Sequence, residues 1–532
     1  VRCAKCAAKR VFQPPSPPTS APTSAPTSTS IPAPRSTHLA PTGKPPVATA
    51  DPAQSVATAA TRYLCVAVQL DKTLADKAIG SVLEEPHRAA ASSPGVDLVC
   101  VLRYALAAQA RQAVTLFLAM LVGWSILALF FFRPDPLTML ILLLVLLVFL
   151  WVVLLTERLI MFYGVIKPRL NRSAFDPGKA PRAQPAEEAK LVRLTAQDQP
   201  GGNVSVFSGY EPFLGHGKLI DSWNFTIPVD RPADQFDRVI PFDVKELTAD
   251  VGAAVASLGL PGVATTERVF VNGADLAQGL DPGLRQVLLP APDGYPSTSV
   301  SKAVIARLRE DGYGRARPYL VTTVSGWDSE IVTTSTIRFS LSPAHDLLFI
   351  EGAVSLLPPV REAYHRVDHL LDRPTWRQLL GLAMNAAGQM IPKLPIGMLL
   401  PITAPIALLN QWLKKREQRR LIAQGAFNYG AELSVREEAA DPKYHRYFQK
   451  IDHQMSTKIV ERRTMDAITD FLRDHQVDLA ELQARQNVIY NGGVFTSGNA
   501  QVNFVNSSVA AGVGAKALAL VGLRKETEAE KK

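Results

Sequence analysis

Several groups of residues have the types and spacing to carry chemistry. The loop Gly209-Tyr210-Glu211-Pro212-Phe213-Leu214-Gly215-His216-Gly217 follows a predicted strand, and its glycines would let backbone amides approach a phosphate. Gly209, Tyr210, Gly215, His216 and Gly217 are therefore the candidate cofactor-binding positions. The loop lacks the Gly-Lys-Ser/Thr ending of a nucleotide loop and the spacing of a dinucleotide loop, so a structural turn is preferred. Ser299-Val300-Ser301-Lys302 fits Ser-x-x-Lys, in which lysine eases deprotonation of serine. No Ser-Asp-Asn or Lys-Thr-Gly accompanies it, and helix capping by Ser299 or Ser301 is the better account. His365 and His369 are four apart on a predicted helix and would share a face, as two metal ligands must, with Asp368 close by. Arg361 and Arg366 disfavour a cation there, so a solvated or interfacial face is preferred. Protonation of the pair near pH 6 would tune attraction to anionic lipid. Cys3-Ala-Lys-Cys6 is half of a zinc knuckle, but four ligands are needed and no second Cys-x-x-Cys follows.

The basic cluster Lys414, Lys415, Arg416, Arg419 and Arg420 is more informative. On a continuing helix it would lie along a membrane, each residue worth about 1 kcal/mol against an acidic leaflet. No aromatic stacking series accompanies it, so the expected partners are the lipid bilayer and anionic headgroups rather than nucleic acid. No catalytic residue, cofactor or metal is assigned.

The elements that must position these residues follow from composition. The chain has 532 residues, net charge +9 and 20% charged residues, an ordinary average that hides strong segregation. Its cysteines, Cys3, Cys6, Cys65 and Cys100, are too few for a disulfide framework. Residues 1–61 form a Pro/Ser/Thr/Ala-rich arm, typified by Ala21-Pro22-Thr23-Ser24, that cannot bury enough apolar surface to order itself. Residues 62–112 read as a small helical module with helices over Ala75–Leu83 and Asp97–Ala110. Residues 113–156 form a transmembrane α-helical hairpin, Ala113–Phe132 and Leu137–Thr156, joined by Arg133-Pro134-Asp135-Pro136. Each leg is charge-free and long enough to cross a hydrocarbon core of roughly 30 Å. Arg103, Arg111, Arg158, Lys167, Arg169 and Arg172 flank the hairpin, which predicts a cell-membrane protein with both termini cytoplasmic.

After a linker over 157–188, residues 189–371 read as an α+β cytoplasmic domain. Strands are expected at Asn203–Phe207, Trp223–Val229, Arg268–Val271, Pro318–Val324, Ile331–Ser340 and Leu347–Ser355. Asp243 caps a helix to about Leu258, with Glu246 completing a capping box, and another helix covers Ser299–Asp311. Strands without regular βα alternation argue for α+β rather than a doubly wound sheet. Residues 372–420 hold a third apolar stretch, Leu379–Leu413, interrupted by Pro395, Pro401 and Pro405 and by Lys393. Because both flanks are basic, a re-entrant or interfacial hairpin is preferred to a third crossing. Residues 421–486 are helical, most strongly over Tyr444–Asp474, and 487–532 hold a Gly/Asn-rich, β-prone segment and a charged tail. Alternation within 487–514 suits self-association into a homo-oligomer.

Thr61-Arg62-Tyr63-Leu64-Cys65, Ser93-Pro94-Gly95-Val96-Asp97, Ser208-Gly209-Tyr210-Glu211-Pro212-Phe213 and Lys458-Ile459-Val460-Glu461-Arg462-Arg463 carry a resemblance. On them the chain resembles a group of actinobacterial two-pass membrane proteins. The resemblance implies the layout of module, hairpin, cytoplasmic domain and Gly-rich end, and no activity. The expected function is a non-enzymatic, membrane-anchored interaction or signalling scaffold; the alternative is a tethered enzyme or small-ligand sensor using residues 189–371.

Overall fold

The computed structural model describes residues 58–132, 134–197, 202–234, 238–312, 314–370 and 373–484. Residues 1–57 of the expected arm, with Cys3 and Cys6, and the segment 487–532 lie outside them, whereas the arm's last residues, 58–61, open the first helix. Thr58 opens α1 (Ala59–Leu70) by accepting the Thr61 amide, and Asp71 caps α2 (Lys72–Ala78), which runs on as a π-helical turn, Ile79–Leu83. No sequence periodicity announces α1. Every residue from Ala60 to Gln69 is buried, so no polar stripe marks a solvent face.

α3 (Leu98–Phe132) carries the module directly into the first apolar leg, as expected. Asp135 then caps α4 (Pro136–Leu159), whose proline occupies the first turn, where its missing N–H costs nothing. The helix continues as a π-helical stretch, Ile160–Ile166, and a last turn, α5 (Lys167–Leu170). The expected linker, 157–188, therefore holds the end of α4, the π-helical stretch and α5, and α6 (Pro185–Gln197) starts in its last residues and runs on beyond it.

Six strands form one mixed sheet in the order β1-β3-β4-β5-β6-β2. They are β1 (Val204–Phe207), β2 (Lys218–Pro228), β3 (Val263–Asn272), β4 (Ala316–Gly326), β5 (Ile331–Leu341) and β6 (Leu347–Leu357). β1 runs parallel to β3, and the other pairings are antiparallel. Between strands lie α7 (Val244–Ala256), capped by Asp243, then α8 (Asp275–Gln278), α9 (Pro282–Leu288) and α10 (Lys302–Glu310). Three elements complete the described chain: α11 (Trp376–Ala423), α12 (Val435–Glu438) and α13 (Tyr447–Asp474).

Strand alternation gives the sheet two unlike faces. Phe225, Ile227, Leu320, Ile337, Phe339 and Ile350 point one way and bury themselves against α7 and α13. The charged helical region near the C-terminus is therefore a cover for the sheet. On the opposite face the same strands turn out Asn224, Arg338 and Glu351, with Arg338 and Glu351 directly paired in register.

α3, α4 and α11 are each long and apolar enough to cross a membrane. α11 is one unbroken helix where the sequence favoured a hairpin. A reversal needs a turn, and no α11 residue takes a positive φ; the first is Gly425, at +66°. Pro392, Pro395, Pro401 and Pro405 each remove one intrahelical bond without breaking it. Contacts with α3 and α4 hold it instead. Gly397 lies on the backbone of Ala119 and Met120, Gly123 faces Met398, and Ala386 is buried with Leu150 and Leu154. Small residues at a crossing let helix backbones approach closely.

Both ends of α11 rest on the same folded body. At its start, Lys167 donates to Leu370 O at 2.6 Å, and the Thr375–Gln378 capping box follows. At its end, Lys414 and Gln418 both meet Glu85, Gln278 donates to Gln424 O at 3.2 Å, and Leu421 and Ile422 pack into the core under β1 and β3.

Candidate functional site

In the glycine loop, Gly215 and Gly217 sit in the left-handed region at φ +93° and +98°. Glycine is required at both, since an added Cβ would lie 1.9 Å from Ser92 O and 2.1 Å from Leu356 O. This geometry aims two amides at one point. The occupant is the protein's own Glu437, whose Oε1 accepts from Gly215 N at 2.7 Å and Gly217 N at 2.8 Å. Burial pushes the Glu437 carboxyl up, and the two amides pull it part of the way back. The place that the sequence kept for a phosphate is filled by a carboxylate.

His216, between these glycines, is buried, and neither ring nitrogen has a hydrogen-bond partner. Burial, aided by Arg268, pushes it down to about 3, so the imidazole is neutral. Phe213 packs edge-on against Phe270 and Tyr319, whereas Tyr210 at the loop tip is 97% exposed. Asn272 holds the loop entrance by donating to Gly209 O at 2.9 Å.

α12 supplies more than Glu437. Ser434 caps it, and three successive side chains then tie together three parts of the fold. Arg436 is fully buried and donates to Glu330 O at 2.5 Å and Pro358 O at 3.0 Å; burial pushes it down to about 10. Glu437 closes the glycine loop, and Glu438 pairs with Lys77 of α2. A single short turn thus joins the sheet, the loop and the N-terminal module.

A cleft of about 640 Å³ lies on the open face of β2, β5 and β6. Its charged groups are Arg317, Arg338 and Glu351, with Asn224, Ser340 and Phe349 among the rest of its lining. Arg338 lies 3.5 Å from Glu351 and also donates to Gly312 O, while Tyr319 donates to Glu351 at 2.6 Å. Burial pushes Arg338 down and Tyr319 up, so the phenol keeps its proton. Two cations against one carboxylate suit an anionic group, and at the rim Ser342 donates to the Asp346 carboxylate.

The remaining candidates disperse. His365 and His369 lie on a 3-10 helix, Glu362–His369, whose three residues per turn rotate a four-residue spacing off one face. His365 stacks on Tyr63 at 3.9 Å, and Asp368 is taken by Arg62 at 2.7 and 3.1 Å and by Tyr63 at 2.6 Å. Burial pushes His365 down to about 4, so it stays neutral near pH 6 and cannot act there as the expected lipid switch. Among the described residues no group of three or more His, Cys, Asp or Glu could hold a metal ion. Ser301 caps α10 by accepting the Val304 amide, leaving Ser-x-x-Lys as helix chemistry. Lys415, Arg416, Arg419 and Arg420 are exposed along the end of α11, and Lys414 pairs with Glu85.

One charged group escaped the sequence reading. Glu157 at the domain end of α4 lies 3.9 Å from Lys393 of α11 and 3.8 Å from Arg158. The signal available was Lys393 itself, a lone cation inside an apolar run; its partner lies more than two hundred residues earlier.

A family model for an AbeC-like domain matches residues 222–503. No curated protein and no solved structure matches the chain. The matched region begins within β2, takes in the cleft lining except Phe213 and Leu219, the whole of α11 and the helical cover of the sheet, and leaves the α3–α4 hairpin outside. With more than half its length in that match, the chain belongs to the AbeC-like domain family.

Proposed function

We propose that this protein is a non-enzymatic scaffold that anchors an AbeC-like domain flat against the cytoplasmic face of the cell membrane. In this reading α3 and α4 cross the bilayer with the Pro134–Pro136 turn outside, and α11 lies in the near interface. The observation that carries it is the attachment of both ends of α11 to the body from which the hairpin leaves. A helix of 48 residues is about 72 Å long, more than twice a hydrocarbon core of roughly 30 Å. Depth supports the same placement. Lys393, well inside α11, reaches Glu157 at the domain end of α4; at the bilayer centre a lysine would cost roughly 2.5–3.5 kcal/mol. Trp376 and Trp412 are exposed near its two ends, where aromatic rings favour headgroup depth. The cations Lys414–Arg420 then face anionic headgroups, and residues 487–514 serve self-association.

Single cysteines at Asp135, Gln378 and Lys415, in a chain lacking its native cysteines, test the topology. An impermeant thiol reagent applied to intact cells should label Asp135→Cys alone. Labelling of either α11 position from outside would sink the in-plane helix.

The cleft favours a second reading, a membrane-tethered sensor for a small anionic ligand. Thermal stability of the purified full chain, screened against anionic metabolites, separates the two. A ligand whose stabilising effect is lost in Arg338→Met would favour the sensor.

A further inference from the structure

β2 (Lys218–Pro228) closes one end of the sheet, and its 11 residues pair with β6 on one side. Among the described residues no backbone group pairs with its other side. An open edge offers a row of donors and acceptors, which folded proteins cover or blunt with charge, proline or a bulge. Here the charges, Lys218 and Asp221, and a shift of register between Leu219 and Asp221 are confined to the first residues. Residues 222–228 carry no charge, and their one proline, Pro228, stands at the end. Leu219 and Ile220 are 47% and 51% exposed.

The described chain ends beside this edge. After α13 it passes the end of β2 in the antiparallel sense. Ala233 N donates to Gln476 O at 2.9 Å, Pro232 and Val477 form an antiparallel bridge, and Asp478 N donates to Arg231 O at 2.9 Å. Leu482, close to the last described residue, Ala484, is buried in the same core as Phe225, Ile227 and Val229 of β2 and its end. A chain continued in this direction runs along β2 from Pro228 toward Lys218.

The residues that come next suit such a run. Residues 487–497 match β2 in length, carry no charge and no proline, and include the strand formers Val488, Ile489, Tyr490, Val494, Phe495 and Thr496. Asn487 starts within about 10 Å of Ala484, three residues of extended chain. The AbeC-like match begins within β2 and runs on to residue 503, so one family unit contains both partners.

We infer that residues 487–497 lie antiparallel along the open edge of β2, as a seventh strand in the sheet of their own chain. Asn487 then stands opposite Pro228, and Val494, Phe495 and Thr496 come opposite Asp221, Ile220 and Leu219, covering the exposed aliphatic pair. Residues 498–514 are left for the self-association proposed above. The pairing is independent of how α11 meets the membrane.

The test uses the full chain, freed of its native cysteines and purified in a mild detergent. A short bis-maleimide should link Thr226→Cys to Ile489→Cys, and Ser222→Cys to Gly493→Cys, within one chain. Thr226→Cys and Ser507→Cys should stay unlinked. Amides of 222–228 should exchange hydrogen at least about tenfold faster in Ile489→Pro, because proline cannot join the ladder. Val509→Pro, beyond the strand, should leave their exchange unchanged, and exchange in β4 and β5 reports whether the sheet itself is intact. Links formed only between chains would overturn pairing within the chain in favour of a second copy. The absence of both links, or exchange at 222–228 that Ile489→Pro does not alter, would overturn the added strand altogether.

Discussion

At the scale of single residues, the fold is shaped by charged groups that find partners far away in sequence. Glu437 is the clearest case, because one carboxylate satisfies two glycine amides that no water or ligand need serve. Glu437→Ala should cost about 2–3 kcal/mol of unfolding free energy, since it strands both donors. Glu437→Gln keeps an acceptor and should cost less; denaturant titration of the two variants checks the ranking. Glu461 on α13 behaves differently. Burial first, then Asp221, pushes its carboxyl up to about 7, while Lys458 opposes them. A carboxyl raised above its ordinary 4.5 stabilises the fold while protonated, and that contribution is lost as pH rises toward about 7. Glu461→Gln should therefore be neutral near about pH 4.5 and stabilising by roughly 2 kcal/mol near about pH 8. The glycines of the loop could be read as a demand for unusual backbone; the identity of the acceptor could not, because Glu437 arrives from more than two hundred residues away.

At the scale of elements, periodicity located most of the structure. β4, β5 and β6 lie where alternation placed the meander; Asp243 starts α7 as expected, but its carboxylate accepts from Lys245 N rather than forming the expected box with Glu246. β2 begins at Lys218, earlier than its alternation begins. Its first residues are exposed whichever way they point, so only pairing with β6 extends it. α11 departs furthest from expectation, since its prolines argue for a break while its packing keeps one helix. That packing turns on Gly397 and on the Ala119–Gly123 pair of α3, four residues apart. Gly397→Leu should lower bundle stability by about 1–3 kcal/mol by wedging α11 off α3. The thermal midpoint of the full chain in detergent reads this directly, with Gly388→Ala, which meets open space, as the matched control.

For the whole molecule, opposing titrations set the working range. His216 and His453 are buried and His365 is half-buried, and desolvation pushes His216, His365 and His453 down to about 3, 4 and 4. Histidines lowered from 6.5 stabilise the fold while neutral, and that stability is lost as pH falls from about 6.5 toward about 4. Glu461 works in the opposite direction, but one carboxyl is outweighed by three histidines, so stability should rise through about pH 6 and level off above about pH 7. A thermal midpoint that falls between about pH 5 and 7 would contradict this balance. The same long-range pairing unites segments that read as separate domains. Arg62 of α1 clamps Asp368, Ala59 N reaches Asp328, and α13 roofs the sheet.

By itself the sequence determined what local physics can decide: two charge-free apolar legs closed by a proline turn, strands by alternation, helix starts by their caps, and a family match over 222–503. These depend on neighbours within a turn or a strand, so a single chain displays them. Tertiary structure alone decided that the glycine loop is filled by Glu437, that His365 stacks on Tyr63, and that α11 begins and ends on the same body. Each depends on which distant segment comes to lie alongside, and neither spacing nor composition records that choice.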